Sequence, residues 1–139
     1  MRFVDSNVFV HALLRPRRRL ETHEDEIKEG AKNILTRIEE GGEAMTTVIH
    51  VSEVANILEA RMPREGSWRI LSALASMRGL SLAGVTGDAY SAAIQTSNVL
   101  GVGVNDALAY TSMTRSGVRE IYSFDKHFDQ LPEIRRVTE

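Results

Sequence analysis

The chain has 139 residues, a hydrophobic fraction of 42%, a formal net charge of −2 and no cysteine. This length predicts a single domain over residues 1–139 with a buried core, and the weak negative charge excludes a protein that holds nucleic acid through a surface that is basic as a whole. The lack of cysteine excludes disulfides, thiolate nucleophiles and cysteine-bound zinc and favours a cytoplasmic location, and no apolar segment is long enough to span a membrane.

The first half of the chain alternates short strands with helices, as judged from the spacing of its apolar residues. The predicted elements are a strand over 2–4, a helix over 8–13, a helix over 24–39, a strand over 44–46, a helix over 48–61 and a helix over 68–77. The helix over 48–61 is apolar nearly all round, which predicts burial on several sides. Pro63 ends it, because proline does not continue a helix.

The second half continues the alternation. Its predicted elements are a strand over 80–85, a helix over 88–100 ending at Gly101, a helix capped by Asn105 and ending before Gly117, a strand over 120–124, a turn or short helix over 125–130 and an edge strand over 135–138. Strands separated by single or paired helices indicate an α/β fold, specifically a three-layer α/β/α sandwich with a mostly parallel central sheet.

Four isolated acids, Asp5, Glu53, Asp106 and Asp125, stand at the edges of predicted elements or against apolar sequence. In parallel α/β sheets, ligands bind outside the carboxyl ends of the strands, where the strand order reverses. Asp5 and Asp125 follow strands and Asp106 lies at a helix N-terminus, so all three can face one crevice. Glu53 lies on a helix with little predicted solvent face, where an unpaired carboxylate is costly. If the fold brings them together, they form an oxygen-rich site for a divalent cation.

Each acid also has an ordinary structural interpretation. Asp5 and Asp106 are well placed as helix caps, and Asp125 is a normal turn residue. Glu53 can pair with an arginine such as Arg61. The hypothesis that the four acids form one site is nevertheless stronger than any of these separate assignments. If each acid were only a cap, a turn residue or an ion-pair partner, all four would have reached active-site positions of an α/β sheet independently.

The segments around the acids resemble the four acidic motifs of the PIN-domain nucleases, and most closely the small VapC-like toxins of toxin–antitoxin pairs. The segments occur in this order: FVDSNVFVHALL, VIHVSEVANIL, NDALAY and YSFDKHFDQLP. The resemblance covers essentially the whole chain. It implies that the catalytic residues, which hold one or two Mg²⁺ or Mn²⁺ ions, are Asp5, Glu53, Asp106 and Asp125.

The resemblance also assigns supporting roles to polar neighbours of the acids, which would orient carboxylates or metal-bound water. The residues at these positions are Ser6, Asn7, Asn105, Ser123 and Asp129. Three of them have simpler explanations: Asn105 as a helix cap, Ser123 as a strand residue and Asp129 as part of a solvated turn. Mg²⁺ and Mn²⁺ prefer such oxygen donors.

The implied activity is that of a metal-dependent endoribonuclease. Metal-activated water would attack the RNA phosphodiester in line and release 5′-phosphate and 3′-hydroxyl ends. The resemblance further implies an antitoxin partner and a homodimer. The alternatives are an RNA-processing nuclease of the same family, or a non-catalytic RNA-binding or protein-interaction module on the same fold. Because the processing enzymes often carry extra domains, the length favours a toxin.

The densest basic run consists of Arg15, Arg17, Arg18 and Arg19. Following the first helix, these arginines can lie beside the acidic crevice and bind RNA phosphates, although a solvated loop explains them equally well. The histidines are not at zinc-ligand spacing and are expected to be packing or surface residues: His11, His23, His50 and His127.

Overall fold

A parallel sheet forms the centre of the protein, whose computed structural model describes all of residues 1–139. The strands are β1 (Arg2–Val4), β2 (Ala44–Thr47), β3 (Leu80–Ala83), β4 (Glu120–Tyr122) and β5 (Arg135–Val137). They form a five-stranded sheet in the order β3-β2-β1-β4-β5, and every neighbouring pair is parallel. The predicted α/β/α sandwich is confirmed, with a sheet that is parallel throughout.

Helices cover both faces of the sheet. They are α1 (Ser6–Leu13), α2 (Thr22–Glu39), α3 (Val48–Arg61), α4 (Arg64–Ala75), α5 (Gly87–Leu100), α6 (Val104–Ser116) and a short 3-10 helix (Lys126–Gln130). None of them combines the length and the apolar composition that crossing a bilayer requires.

Most element boundaries agree with the sequence prediction, and the differences occur at element ends. The helix predicted over 68–77 begins earlier, at Arg64, and the strands predicted over 80–85 and 120–124 end at Ala83 and Tyr122. The prediction that Asn105 caps the next helix is wrong, because Gly103 is the N-cap residue of α6 and Asn105 lies inside its first turn.

The strands divide the core into two clusters, because successive side chains of a strand point to opposite faces of a sheet. Val4 of β1 packs on one face in a buried cluster with residues of α1, α2, α3 and α4. Phe3 packs on the other face with Ala109 and Met113 of α6 and with Phe128 of the 3-10 helix. The two layers of helices are therefore held by alternate residues of the same strands.

Helix α3 is covered on one side only. Its buried residues are His50, Val54 and Leu58, whereas Val48 and Ile57 are 43% and 38% exposed. The predicted burial on several sides is wrong for the isolated chain. Helices α1 and α4 pack against α3, and no element covers the face that carries Ile57.

Gly79 allows β3 to lie against β2. Its φ is +86°, and a Cβ atom built there would lie 2.5 Å from the carbonyl oxygen of Ile38 and 2.8 Å from that of Gly42. The carbonyl oxygen of Gly79 accepts a hydrogen bond of 2.9 Å from the backbone N–H of Ala44. Only glycine combines this left-handed backbone with the close approach.

The strand order reverses between β1 and β4. From β1 the chain adds β2 and then β3 on one side, and it returns to place β4 and β5 on the other side of β1. The backbone N–H of Asp5 donates to the carbonyl oxygen of Tyr122 at 3.0 Å, which joins the carboxyl ends of β1 and β4. Ligand sites of parallel α/β sheets form in the crevice at such a reversal.

Candidate functional site

Asp5 lies at the carboxyl end of β1 with only 5% of its surface exposed. It occupies the N-cap position of α1, but its side chain makes no capping hydrogen bond. Instead Oδ2 accepts a hydrogen bond of 2.7 Å from the hydroxyl of Ser123, and the hydroxyl of Ser6 lies 3.5 Å from Oδ1. Burial raises the pKa of Asp5 to about 7, and the negative charge of Asp106 adds to the rise. The hydrogen bond from Ser123 acts in the opposite direction and lowers the pKa.

A polar network ties the start of α1 to the segment that follows β4. The Ser123 hydroxyl oxygen accepts hydrogen bonds from the backbone N–H of Asp125 at 3.0 Å and from Nδ2 of Asn7 at 3.4 Å. The side-chain oxygen of Asn7 accepts from the backbone N–H of Phe124 at 3.3 Å. Ser123 thus positions Asp5 and Asp125 together.

Asp125 follows β4 and caps the 3-10 helix. Its Oδ1 accepts from the backbone N–H of His127 at 2.9 Å, and Nδ1 of the His127 ring lies 2.7 Å from the same oxygen. One potential ligand atom from each of Asp106, Asp125 and His127 lies within 4.8 Å of the others. The turn interpretation of Asp125 is correct, because its Oδ1 caps the 3-10 helix, but the same carboxylate also lies close to Asp106.

Asp106 is the third residue of α6 and is half-buried. No side-chain hydrogen bond caps this helix, so the capping role considered for Asp106 is not observed. Burial raises the pKa of Asp106 to about 6, and the charges of Asp125 and Glu53 add to the rise. No lysine or arginine forms an ion pair with this carboxylate.

Glu53 lies on α3 at the border of the same crevice. It forms no ion pair with Arg61 or any other arginine, and its half-buried position corrects the expectation of a fully buried carboxylate. The reason is the uncovered face of α3. The charge of Glu53 contributes to the raised pKa of both Asp5 and Asp106, and its side chain lines an open cavity of about 340 Å³ that also contains Tyr90.

Two of the predicted supporting residues, Asn105 and Asp129, form no hydrogen bond with the four acids. Asn105 accepts a hydrogen bond on Oδ1 from the hydroxyl of Tyr90 at 3.0 Å. Asp129 is bound by Arg136 through two hydrogen bonds of 2.9 and 3.0 Å, which lower the pKa of Asp129. Because Arg136 also donates to the carbonyl oxygen of Ser123 at 3.3 Å, Asp129 reaches the crevice only through that arginine.

The sequence over residues 2–134 matches the PIN domain family. The chain belongs to the PIN-domain family. None of the curated proteins matches this PIN domain in sequence.

Three solved structures share the fold over nearly the full length of both chains. Mycobacterium tuberculosis VapC20, described as a sarcin–ricin loop cleaving toxin, has 20% identity and a TM-score of 0.70, covering 97% of this chain and 99% of its own. Rickettsia felis VapBC2, bound to a promoter DNA fragment, has 15% identity and a TM-score of 0.67, with coverage of 97% and 96%. A Klebsiella pneumoniae toxin–antitoxin complex has 12% identity and a TM-score of 0.68, with coverage of 97% and 96%. At these identities the likeness establishes the fold.

The donor set of this PIN domain fits a hard divalent cation. Carboxylate oxygens dominate the crevice, and burial and mutual repulsion raise the pKa of Asp5 and Asp106. A cation would relieve this repulsion, because it favours the charged form of each carboxyl group. Carboxylate ligands of this kind suit Mg²⁺, Ca²⁺ and Mn²⁺.

The basic run lies at the far end of α1 from Asp5. The helix has 8 residues, about 12 Å at a rise of about 1.5 Å per residue. The exposed guanidinium of Arg18 pairs with Glu24 at 2.7 Å, and Arg15 lines a groove beside α2 and α3. The run therefore begins about one helix length from Asp5, and contact of Arg15, Arg17, Arg18 and Arg19 with RNA stays a prediction.

Three residues near the acids are not among the site residues that the sequence predicts: His50, Tyr90 and His127. The expectation that His50 is a packing residue is correct, because it is fully buried. His127 was expected to be a packing or surface residue and its side chain is 66% exposed, but it lies against Asp125. Its position two residues after Asp125 in a tight turn is a signal that the sequence contained. His50 and Tyr90 both form hydrogen bonds with Asn105, and no sequence pattern predicts either contact.

Proposed function

We propose that this PIN domain is a metal-dependent endoribonuclease and the toxin of a toxin–antitoxin pair. One observation carries the proposal: β1, α3, α6 and the segment after β4 bring the carboxylates of Asp5, Glu53, Asp106 and Asp125 to one crevice where no lysine or arginine pairs with them. Repulsion among buried like charges is unfavourable. A site that keeps this arrangement is suited to binding a cation and, through it, a phosphodiester.

In the proposed site, Asp5, Asp106 and Asp125 hold one or two Mg²⁺ or Mn²⁺ ions, and the imidazole of His127 is available as a further ligand. When bound, the metal supplies a water nucleophile at neutral pH and neutralises charge on the phosphate. Its affinity is expected to rise with pH over the range in which Asp106 and Asp5 ionise, because both carboxyl groups must lose their protons to bind metal.

The side chains of the chain itself provide orientation and proton transfer. Glu53 is half-exposed and has no ion-pair partner, which leaves its carboxylate free to orient an attacking water and accept its proton. Ser123 donates to Asp5 at 2.7 Å and holds Asp125 through its backbone N–H, so it keeps two metal ligands in register. The products would carry 5′-phosphate and 3′-hydroxyl ends.

The test is cleavage of structured RNAs by the purified protein with Mg²⁺ or Mn²⁺, with EDTA, and in the Asp5→Asn variant. Because one of the structural neighbours is named for cleaving the sarcin–ricin loop, an RNA containing that loop belongs in the panel. The proposal predicts cleavage that EDTA and the substitution both abolish, and 5′-phosphate ends on the products. Cleavage that survives EDTA, or full activity of the variant, would refute it.

The proposed antitoxin occupies a groove between the α1–α2 loop and helices α3 and α4. The groove is lined by apolar side chains including Leu14, Pro16 and Ile70 and by the cations Arg15 and Arg61. Neither cation has an acidic partner within the chain. An amphipathic segment with acidic residues complements this lining.

The Arg61→Glu variant tests this partner. Its complex with the antitoxin should weaken at least about tenfold because a buried like-charge contact costs several kcal/mol, whereas RNA cleavage by the free toxin should not change. If a calorimetric titration shows that Arg61→Glu binds the antitoxin as tightly as wild type does, the antitoxin does not bind in this groove.

A homodimer is the proposed assembly, formed through the outer edge of the sheet and the neighbouring helix. Strand β3 has no neighbour on one side, and α5 buries only Ala93. The apolar side chains of Leu82, Ile94 and Val99 are 37%, 44% and 84% exposed. Exposed apolar surface on a helix and an unpaired strand edge are typical of subunit contacts.

The basic run is proposed to contact RNA away from the scissile bond. Since α1 separates it from Asp5 by about 12 Å, Arg17 and Arg19 can reach only phosphates some nucleotides from the cleavage position. Replacing both with glutamine should raise the KM for RNA and leave kcat unchanged. The slope of log KM against log salt concentration should fall by the amount that about two phosphate contacts contribute. An unchanged salt dependence would favour the solvated-loop interpretation.

A further inference from the structure

His50 is a fully buried histidine that connects two elements of the site. Its Nε2 lies 3.1 Å from the carbonyl oxygen of Asn105, and its Nδ1 lies 2.7 Å from the hydroxyl of Thr47. Because a carbonyl oxygen can only accept, Nε2 carries the proton and Nδ1 accepts from Thr47. Burial lowers the pKa of His50 to about 4, so the ring is neutral at physiological pH and keeps this single tautomer.

Asn105 is held from a second direction by α5. The hydroxyl of Tyr90 donates to its side-chain oxygen at 3.0 Å, while His50 donates to its backbone carbonyl. Two residues from two different helices thus fix one residue in the first turn of α6. The ring of Phe3 packs edge-on against His50, with the ring centroids 5.0 Å apart, and restricts the imidazole further.

The first turn of α6 needs this support. Its N-cap residue is Gly103, which offers no side chain for capping. The next residue after Asn105 is Asp106, and the charges of Asp125 and Glu53 repel its carboxylate. The hydrogen bonds to Asn105 therefore act next to a carboxylate that its neighbours repel.

We propose that His50 and Tyr90 are positioning residues that clamp Asn105 and thereby hold Asp106 at metal-binding distance from Asp125. Neither residue touches the metal or the RNA in this role. The inference rests on the proposed function, because it assigns the clamp to the metal site of the nuclease. Metal ligands must be held within about 0.5 Å of their working geometry, and partners that orient a ligand typically contribute about 10-fold to 100-fold in metal affinity.

Tyr90→Phe tests the clamp, because it removes one hydroxyl and keeps the ring. Titration calorimetry and Mn²⁺ electron paramagnetic resonance should show a dissociation constant for Mn²⁺ raised about 10-fold or more. At saturating Mn²⁺, kcat and the KM for RNA should return to within about twofold of wild type, because the ligands themselves remain. Tyr110→Phe is the matched control: it makes the same change on α6, where the Tyr110 hydroxyl has no hydrogen-bond partner in the chain.

His50 provides an independent test through a conservative pair of variants. His50→Gln keeps a donor near the position of Nε2 and should retain most of the Mn²⁺ affinity, whereas His50→Leu removes the donor and should lose about as much affinity as Tyr90→Phe or more. The inference is overturned if the Mn²⁺ dissociation constant of Tyr90→Phe equals that of Tyr110→Phe, whether or not the melting temperature falls. Failure of wild-type protein to bind Mn²⁺ would instead refute the proposed function, so the two failures are distinguishable.

Discussion

Removing the most buried acid of the site should abolish activity and, in the metal-free protein, shift the stability difference from wild type in favour of the variant as pH rises. Asp5 is 5% exposed, and burial, with the charge of Asp106, raises its pKa from 3.8 to about 7 against the Ser123 hydrogen bond. The folded state therefore binds this proton more tightly than the unfolded chain does. Stability contributed by the protonated group is fully present below the unfolded pKa and is lost as pH rises toward the folded pKa. Asp5→Asn keeps the shape of the side chain and cannot ionise.

The size of the effect follows from the width of the pH window. Each pH unit between the unfolded and folded pKa values changes the free energy of unfolding by about 1.36 kcal/mol. Between about pH 5 and about pH 8 the ionisation of Asp5 therefore lowers the free energy of unfolding of the wild-type protein by about 2–3 kcal/mol. The variant does not undergo this loss. Any cost of the new amide group, about 1–3 kcal/mol if one N–H lacks an acceptor, is the same at both pH values and cancels in the comparison.

The assay is urea unfolding of both proteins in EDTA at these two pH values, with the free energy of unfolding extrapolated to water. Asp25→Asn, at an exposed position of α2, controls for the loss of one negative charge. The reasoning is refuted if the stability difference between Asp5→Asn and wild type is the same at both pH values, or shifts in favour of wild type at the higher one. Mn²⁺ at about 100 times its dissociation constant should then stabilise wild type by about 2.7 kcal/mol and the variant much less.

Four further substitutions give separate expectations. Ser123→Ala removes the hydrogen bond to Asp5, so it should raise the pKa of Asp5 further and weaken Mn²⁺ binding about 10-fold to 100-fold by calorimetry; unchanged affinity would contradict the role of Ser123. His127→Ala removes a nitrogen donor, which Mn²⁺ accepts more readily than Mg²⁺ does. The variant should therefore lose more affinity for Mn²⁺ than for Mg²⁺. An equal loss of affinity for both metals would mean that His127 only orients Asp125. Gly79→Ala would place a Cβ atom 2.5 Å from the Ile38 carbonyl oxygen and should lower the free energy of unfolding by more than about 1 kcal/mol, as urea unfolding would measure. Val99→Glu, at a residue that is 84% exposed, should convert the proposed dimer to a monomer in sedimentation velocity without loss of folding, and a wild-type monomer would rule out that assembly.

Local patterns were sufficient to predict the layers of the fold. Strand and helix periodicities are properties of neighbouring residues, so the alternation of elements and the α/β/α arrangement follow from the sequence. The same local information placed Asp5 and Asp125 directly after strands. Since parallel strands all end at one edge of a sheet, their approach to each other was predictable before the strand order was known.

The tertiary structure decided the surroundings of the acids. Asp5 receives its main hydrogen bond from Ser123, 118 residues away in sequence, and His50 contacts Asn105 across 55 residues. No periodicity predicts such pairs. The predicted burial of Glu53 is wrong for the same reason. An apolar helix surface is buried only where another element reaches it, and nothing in the chain covers the Ile57 side of α3.

The sequence by itself thus determined which elements form and which acids lie at the carboxyl edge of the sheet, because both depend on neighbouring residues. Only the tertiary structure decided the electrostatics of that edge. The raised pKa of Asp5 and Asp106 and the anchoring of α6 through His50 and Tyr90 depend on distances between elements that are remote in the chain, and those distances are set by packing of the whole core.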